Sequence, residues 1–159
     1  MTLKIRPGER ADVPLIAELI RSLARYEKLE DQVTMTVEQL DHVLFGERRY
    51  AETLIAEVDG EPVGFALYFH NFSTFLAQPG IYLEDLFVVP EHRGSGVGKA
   101  LLERLAQMAI ERGCGRLEWA VLDWNESAIG FYERLGARRN ADWTIYRLTG
   151  EPLRSLAGK

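Results

Sequence analysis

The chain has 159 residues, of which 47% are hydrophobic and 27% charged, and its formal net charge is −5. This charge excludes the global positive field with which proteins attract nucleic acid. The single cysteine, Cys114, excludes an intramolecular disulfide, and no apolar run approaches the roughly 20 residues of a membrane helix. We therefore expect one domain over residues 1–159, a cytoplasmic location, and neither nucleic acid nor membrane as a partner.

The chain opens with a predicted strand and helix. Residues 3–6 are typical of a short strand. Asp12 and Pro14 suit the first turn of a helix, because proline is tolerated there. Apolar residues at helical spacing then carry this helix to about Tyr26.

A second, short helix and a hairpin follow. Thr36 and Gln39 form a capping-box pattern ahead of the helix. Residues 53–58 and 63–70 are rich in strand formers, and the turn residues at 59–62 join them as a hairpin.

The second half of the chain alternates between strands and helices. Strands are predicted at 81–89, 116–121 and 142–148, and helices at 96–112 and 125–135. This order predicts an α/β domain with a mixed sheet, an antiparallel meander first and crossover units afterwards.

A glycine-rich loop lies between the strand at 81–89 and the next helix. Gly94, Gly96 and Gly98 alternate with other residues, so that backbone N–H groups can converge on an anion beside a helix N-terminus. Arg93 and Lys99 could add full positive charges. The segment is therefore predicted to bind a phosphate or pyrophosphate.

The spacing of this loop excludes two common phosphate-binding motifs. A P-loop needs glycine five residues before Gly98 and a hydroxyl after the lysine, where the chain has Arg93 and Ala100. A dinucleotide-binding loop needs glycine where the chain has Lys99. Neither a nucleoside triphosphatase nor a dinucleotide enzyme is predicted.

The pattern R-G-x-G-x-G after a strand resembles the acyl-CoA pyrophosphate loop of the GNAT N-acetyltransferases. Tyr-Leu-Glu-Asp-Leu-Phe-Val at 82–88 and Trp-Asn-Glu-Ser-Ala-Ile-Gly-Phe-Tyr at 124–132 are similar to the diamine acetyltransferases, which acetylate spermidine, spermine or thialysine. The segments 120–125 and 156–159 are closer to the thialysine branch. The resemblance runs from residue 24 to the C-terminus.

The resemblance implies the GNAT acyl-CoA N-acyltransferase fold, with a mixed, mostly antiparallel sheet flanked by helices. It implies a homodimer that transfers acetyl from acetyl-CoA to a primary amine of a small diamine, polyamine or lysine-like molecule, by direct attack in a ternary complex. It also implies that Glu84 accepts the amine proton, that Asp85 is an accessory acid and that Tyr132 is the general acid toward the sulfur.

The resemblance also implies the binding residues. Main-chain groups would hold the pantetheine arm, and the N–H of Val88 would polarise the carbonyl. Asn125 would also cap its helix. The implied cofactor-binding residues are Leu86, Phe87, Val88, Arg93, Gly94, Ser95, Gly96, Val97, Gly98, Lys99, Asn125, Ser127, Ala128 and Tyr132. The implied acceptor-binding residues are Tyr26, Glu27, Glu84, Asp85 and Trp119.

Three points follow from the residues alone. Glu84 and Asp85 are neighbours in a strand, so strand alternation predicts that they lie on opposite faces of the sheet. Covalent catalysis by Cys114 would need a base beside it, and the sequence places no histidine there. The three histidines lack metal-ligand spacing, so no metal site is predicted.

Two other functions remain open at this point. A protein or peptide N-acetyltransferase on the same fold would need an open groove, which the predicted loop at 71–80 would narrow. A non-catalytic acyl-CoA-binding module would need neither Glu84 nor Tyr132, and both are present beside the glycine loop.

Overall fold

The computed structural model describes residues 1–159, which divide into two compact units, Met1–Ala120 and Val121–Lys159. The first unit contains a five-stranded sheet in the order β1-β2-β3-β4-β5. Strands β1 to β4 are antiparallel, and β5 is parallel to β4, so the predicted mixed, mostly antiparallel sheet is confirmed. The strands are β1 (Leu3–Pro7), β2 (Glu52–Val58), β3 (Glu61–Ser73), β4 (Gln78–Val88) and β5 (Leu117–Trp119).

Three helices of this unit agree with the sequence prediction. They are α1 (Val13–Tyr26), α2 (Val37–Phe45) and α3 (Val97–Glu111). The predicted capping box at the start of α2 is confirmed: the Gln39 N–H donates to Thr36 Oγ1 at 3.1 Å, and the Thr36 N–H donates to Gln39 Oε1 at 2.9 Å. None of the helices of the chain is long and apolar enough to span a membrane.

The helices cover the two faces of the sheet. α1 and α2 pack on one face, where Ile16 and Leu40 join Ile55, Phe65 and Phe87 in one core cluster. α3 lies on the other face, where the Tyr68 hydroxyl of β3 is 3.9 Å from Met108 Sδ. Burial of each such apolar side chain contributes about 1.5–3 kcal/mol. Because cross-strand partners lie on the same face of the sheet, the partner of a residue shows which helices that residue faces.

The strands β3 and β4 are longer than the sequence predicts. The predicted loop at 71–80 is wrong, because Ser73 pairs with Gln78 and leaves only a tight turn at 74–77. The Asn, Ser, Thr, Pro and Gly of this segment indicate a turn locally, but cross-strand pairing overrides that preference. The other hairpin is confirmed, since Asp59 and Gly60 both have positive φ, 51° and 84°, as a type I′ turn requires.

The second unit, Val121–Lys159, contains α4 (Glu126–Arg134) and α5 (Gly150–Ala157). The predicted cap of α4 is confirmed, because Asn125 Oδ1 accepts the Ala128 N–H at 3.3 Å. The predicted strand at 142–148 is wrong: these residues form no strand, since alternation of apolar residues makes a strand only where a partner supplies hydrogen bonds. α5 was not predicted, although Pro152 in its first turn and Gly158 after its end are typical signals.

Candidate active site

Glu84 lies at a β-bulge in β4. Asp85 pairs with Leu67 of β3, whereas Leu83 pairs with the next residue, Tyr68, so β4 has one extra residue at Glu84. Leu67 packs against the α1 core, so Asp85 across from it lies on the α1 face. The expectation that Glu84 and Asp85 lie on opposite faces is wrong, because the bulge interrupts the alternation.

Three carboxyl groups interact on this face. Burial, together with the charges of Glu84 and Glu27, raises the pKa of Asp85 to about 7. Burial, followed by the charge of Glu84, also raises the pKa of Glu27, which follows the end of α1. Clustered carboxylates disfavour their own ionised forms and favour a bound cation. This arrangement can therefore attract an ammonium group and accept a proton from it near neutral pH.

Arg93 connects the end of α1 to the end of β4. Its guanidinium carbon lies 4.6 Å from the centre of the Tyr26 ring and 5.2 Å from that of Phe87. Its Nε–H donates to the carbonyl oxygen of Val88 at 2.9 Å. These contacts bring together three predicted site residues and orient the Arg93 side chain by cation–π attraction and a hydrogen bond.

One edge of β4 has no strand beside it after the bulge. β5 pairs only with residues 81–83 of β4, ending at Leu83 opposite Trp119. The main-chain groups of residues 85–88 that point toward this side therefore have no ladder partner in the sheet. Such an edge can accept an extended ligand as if it were another strand.

The glycine loop has the backbone of an anion-binding nest. Gly94 and Gly96 have φ angles of 78° and 91°, while Ser95 between them has negative φ, so the sign of φ alternates up to the start of α3 at Val97. Alternation of this kind turns successive N–H groups toward one point. A side chain at Gly94 or Gly96 would meet no atom within 4 Å, so conformation rather than crowding requires glycine there.

The other cation of the loop, Lys99, is exposed. Lys99 lies in the first turn of α3, and its Nζ is 3.8 Å from Glu103 Oε1. An exposed pair at this distance contributes little to stability, so Lys99 can exchange Glu103 for an anionic ligand at low cost.

Trp119 does not join the carboxyl cluster. It pairs with Leu83, which lies across from Tyr68 on the α3 face. Its neighbour Glu118 pairs instead with Tyr82, and burial, then the charges of Glu84 and Glu118, raise the pKa of Tyr82. Glu118 therefore lies on the carboxyl face and was missed by the sequence reasoning. The alternation within β5 could have identified it only once the register with β4 was known.

Predicted site residues of the second unit lie on α4 and at its start. Ser127 is exposed, Ala128 donates its N–H to Asn125, and Asn125 is buried. The Tyr132 side chain is half-buried, and its ring lies 5.6 Å from that of Phe131 at an interplanar angle of 47°. The roles of these residues toward a cofactor stay predictions.

A histidine lies near Cys114, which the sequence alone did not indicate. His70 Nδ1 is 3.9 Å from Cys114 Sγ. The same Nδ1 is 3.0 Å from the Gly80 carbonyl oxygen and must donate to it, while Nε2 accepts from Arg112 at 3.0 Å. A histidine in this tautomer cannot take the thiol proton. The structure contains no group of three or more His, Cys, Asp or Glu residues placed to hold a metal ion.

Comparison with protein families gives a match over most of the chain. The model of the acetyltransferase (GNAT) family matches residues 16–137. This range includes the carboxyl cluster, the glycine loop and α4.

Individual proteins match over nearly the full length. Thialysine N-epsilon-acetyltransferase of Bos taurus is 42% identical, over 98% of this chain and 97% of its own. L-ornithine N5-acetyltransferase of Arabidopsis thaliana is 31% identical, over 98% of this chain and 88% of its own. The solved structure of an integron cassette protein from the mobile metagenome of V. cholerae superposes with a TM-score of 0.84 and 29% identity, covering 100% of this chain and 99% of that one.

Proposed function

Because the chain belongs to the acetyltransferase (GNAT) family and is an N-acetyltransferase, we propose that it transfers acetyl from acetyl-CoA to a primary amine of a small diamine, polyamine or lysine-like molecule. The observation that carries this proposal is the position of the carboxyl pair Glu84–Asp85 on the strand that leads into the glycine loop. One strand thus supplies an amine site and the approach to an anion site. We propose that residues 1–159 form a single catalytic domain.

Acetyl-CoA fits the anion site and the unpaired edge of β4. We assign its pyrophosphate to the backbone N–H groups of residues 93–99, where the alternating φ angles and the α3 N-terminus favour negative charge. Its pantetheine amides would follow the main chain of residues 86–88. Asn125, Ser127 and Ala128 would line the rest of the coenzyme.

The chemistry requires one proton to leave the amine and one to reach the sulfur. An alkylamine with a pKa near 10.4 is protonated at neutral pH, so a carboxylate must take a proton before nitrogen attacks the thioester carbon. The pair Glu84–Asp85 would take it, and the pKa of Asp85 near 7 favours Asp85 as the acceptor. The Val88 N–H would polarise the carbonyl, and Tyr132 would protonate the departing thiolate.

Acceptor recognition would depend on the same carboxyl face. Glu27 is the best placed of the three carboxyls to hold the remote ammonium of a diamine, because it lies at the end of α1 rather than in the strand. Tyr26 and Trp119 were assigned to the acceptor on resemblance. Because Trp119 lies on the face of the sheet opposite the carboxyl cluster, we prefer Tyr26 to Trp119 as the residue that contacts the acceptor.

A coenzyme A release assay against a panel of amines tests this function. The panel contains spermidine, putrescine, thialysine, lysine, ornithine and a basic peptide, and we expect turnover of one or more of the small diamines. Glu27→Gln should raise KM for these diamines about tenfold, because a charge-assisted contact is lost. Glu38→Gln, on exposed α2 surface, is the matched control. Turnover of the peptide alone would overturn the small-amine proposal in favour of a peptide acetyltransferase.

We further propose that the protein is a homodimer joined through residues 143–148. Trp143, Ile145 and Tyr146 are exposed by 77%, 77% and 91%, which is unusual for large apolar side chains and typical of an association surface. We expect Ile145→Asp to shift the protein from dimer to monomer in sedimentation velocity. Ile110→Asp, at a residue 82% exposed on α3, is the matched control and should leave the dimer intact. A monomeric wild-type protein would refute this proposal.

The location in the cell stays a prediction. The free Cys114 accords with a reducing, cytoplasmic environment. Recovery of the protein in a fraction other than the cytosol after cell fractionation would contradict it.

A further inference from the structure

A pocket of about 190 Å³ lies away from the carboxyl cluster and the glycine loop. It is formed where β1 ends and β2 begins, between the end of α2 and the second half of α3. None of the residues that line it belongs to the site described above. The proposed reaction therefore leaves this pocket without a role.

The pocket is strongly basic in an acidic protein. Arg49, Arg104 and Arg112 line it, and Glu52 is its only carboxylate, which leaves a formal charge of +2 in a chain whose net charge is −5. Glu52 is already engaged, because Arg112 donates to both of its oxygens at 2.9 and 3.1 Å. This bidentate pair is the main reason that the pKa of Glu52 is lowered.

The other two arginines are available to a ligand. Arg104 lies 3.4 Å from Glu111 across exposed surface, an interaction that contributes little and exchanges readily. Arg49 stacks on the Phe45 ring at 5.1 Å and makes no ion pair with a carboxylate. Stacking leaves the edge of a guanidinium open, and that edge matches a carboxylate or phosphate in bidentate geometry.

The walls between the arginines are apolar. Ile5, Leu44, Leu54 and Met108 line the pocket together with the Tyr68 ring. A hydrated inorganic ion gains nothing from such walls, whereas a short carbon chain gains by leaving water. We propose that this pocket binds a small organic dianion, with an aliphatic body against the apolar wall and its oxyanion groups on Arg49 and Arg104. Short dicarboxylates and phosphate monoesters share this chemistry.

Isothermal titration calorimetry of the full chain tests the site, with succinate and glycerol 3-phosphate as probes against sodium chloride of equal ionic strength. We expect saturable binding of at least one probe, with the apolar wall favouring succinate. Arg49→Gln and Arg104→Gln should each weaken that binding at least about tenfold, because a charge-assisted pair is lost. The affinities of the two probes distinguish a carboxylate from a phosphate ligand.

Two control variants separate this pocket from the rest of the chain. Arg154→Gln removes an exposed arginine of α5, and Lys99→Gln removes a cation of the glycine loop; both should retain probe binding. Loss of binding in Lys99→Gln alone would assign the anion to the glycine loop and overturn the proposal. The proposal would also be overturned if sodium chloride alone gave the same heat of binding, or if both Arg49→Gln and Arg104→Gln retained it. Circular dichroism of each variant checks that it is folded.

Discussion

Asp85→Asn is expected to lower kcat/KM for the amine by about 10²–10⁴-fold, the typical contribution of a positioned general base. The reason is geometric as well as electrostatic. The bulge places Asp85 on the same face as Glu27, where burial and the neighbouring carboxylates raise its pKa to about 7. A group with this pKa takes a proton from an ammonium more readily than an ordinary aspartate does. Steady-state rates as a function of pH provide the measurement.

Glu84→Gln separates the two carboxyls of the pair. Removal of the Glu84 charge lowers the pKa of Asp85, so the acid limb of the pH–rate profile should move to lower pH while alkaline activity falls less than in Asp85→Asn. If Glu84→Gln is instead the more severe variant at every pH, Glu84 is the base, as the family resemblance implied. A pH–rate profile in which the two carboxyls titrate as a coupled pair indicates that Glu84 and Asp85 share a proton.

The substitution Asp85→Asn should also change the free energy of unfolding, and the raised pKa of Asp85 fixes the sign of that change. Because the folded state holds the Asp85 proton more tightly than the unfolded state, ionisation of Asp85 costs stability progressively between about pH 4 and pH 7. Asp85→Asn should therefore raise the free energy of unfolding by roughly 2–4 kcal/mol above pH 7 and by little near pH 4. Urea denaturation at the two pH values measures it. An equal effect at both would contradict the raised pKa.

Gly96→Ala is the second change with a large expected effect. Gly96 has a φ of 91°, a conformation that costs a residue with a Cβ about 1–2 kcal/mol. The loop should relieve this strain by abandoning the alternating φ angles, which disperses the N–H groups. We expect at least about tenfold weaker binding of acetyl-CoA in calorimetry, with a loss of stability no larger than this backbone strain because no neighbour is crowded.

Tyr132→Phe is the contrasting variant. If Tyr132 protonates the thiolate, its loss should lower kcat and leave acetyl-CoA affinity nearly intact, the reverse of Gly96→Ala. Equal kcat in Tyr132→Phe would remove its acid role. Unchanged acetyl-CoA affinity in Gly96→Ala would remove the glycine loop from the anion site.

Local signals in the sequence predicted local structure well. The Thr36 capping box, the Asn125 cap and the Asp59–Gly60 turn all depend on a few adjacent residues, and all three are present in the structure. The prediction of a strand at 142–148 is wrong for the opposite reason. Alternating apolar residues fit a strand, but the partner that a strand needs is not encoded in the segment itself.

The sequence by itself determined the glycine loop, the helix that follows it and the acidic strand before it, because spacing and propensity act between near neighbours in the chain. Only the tertiary structure decided which side chains meet. The bulge at Glu84, the pairing of Asp85 with Leu67 and the appearance of Glu118 on the carboxyl face all arise from register between strands, and the arginine pocket arises where α2, α3 and the first two strands meet. Register depends on contacts between residues far apart in the chain, and a shift of one residue exchanges the faces of the sheet.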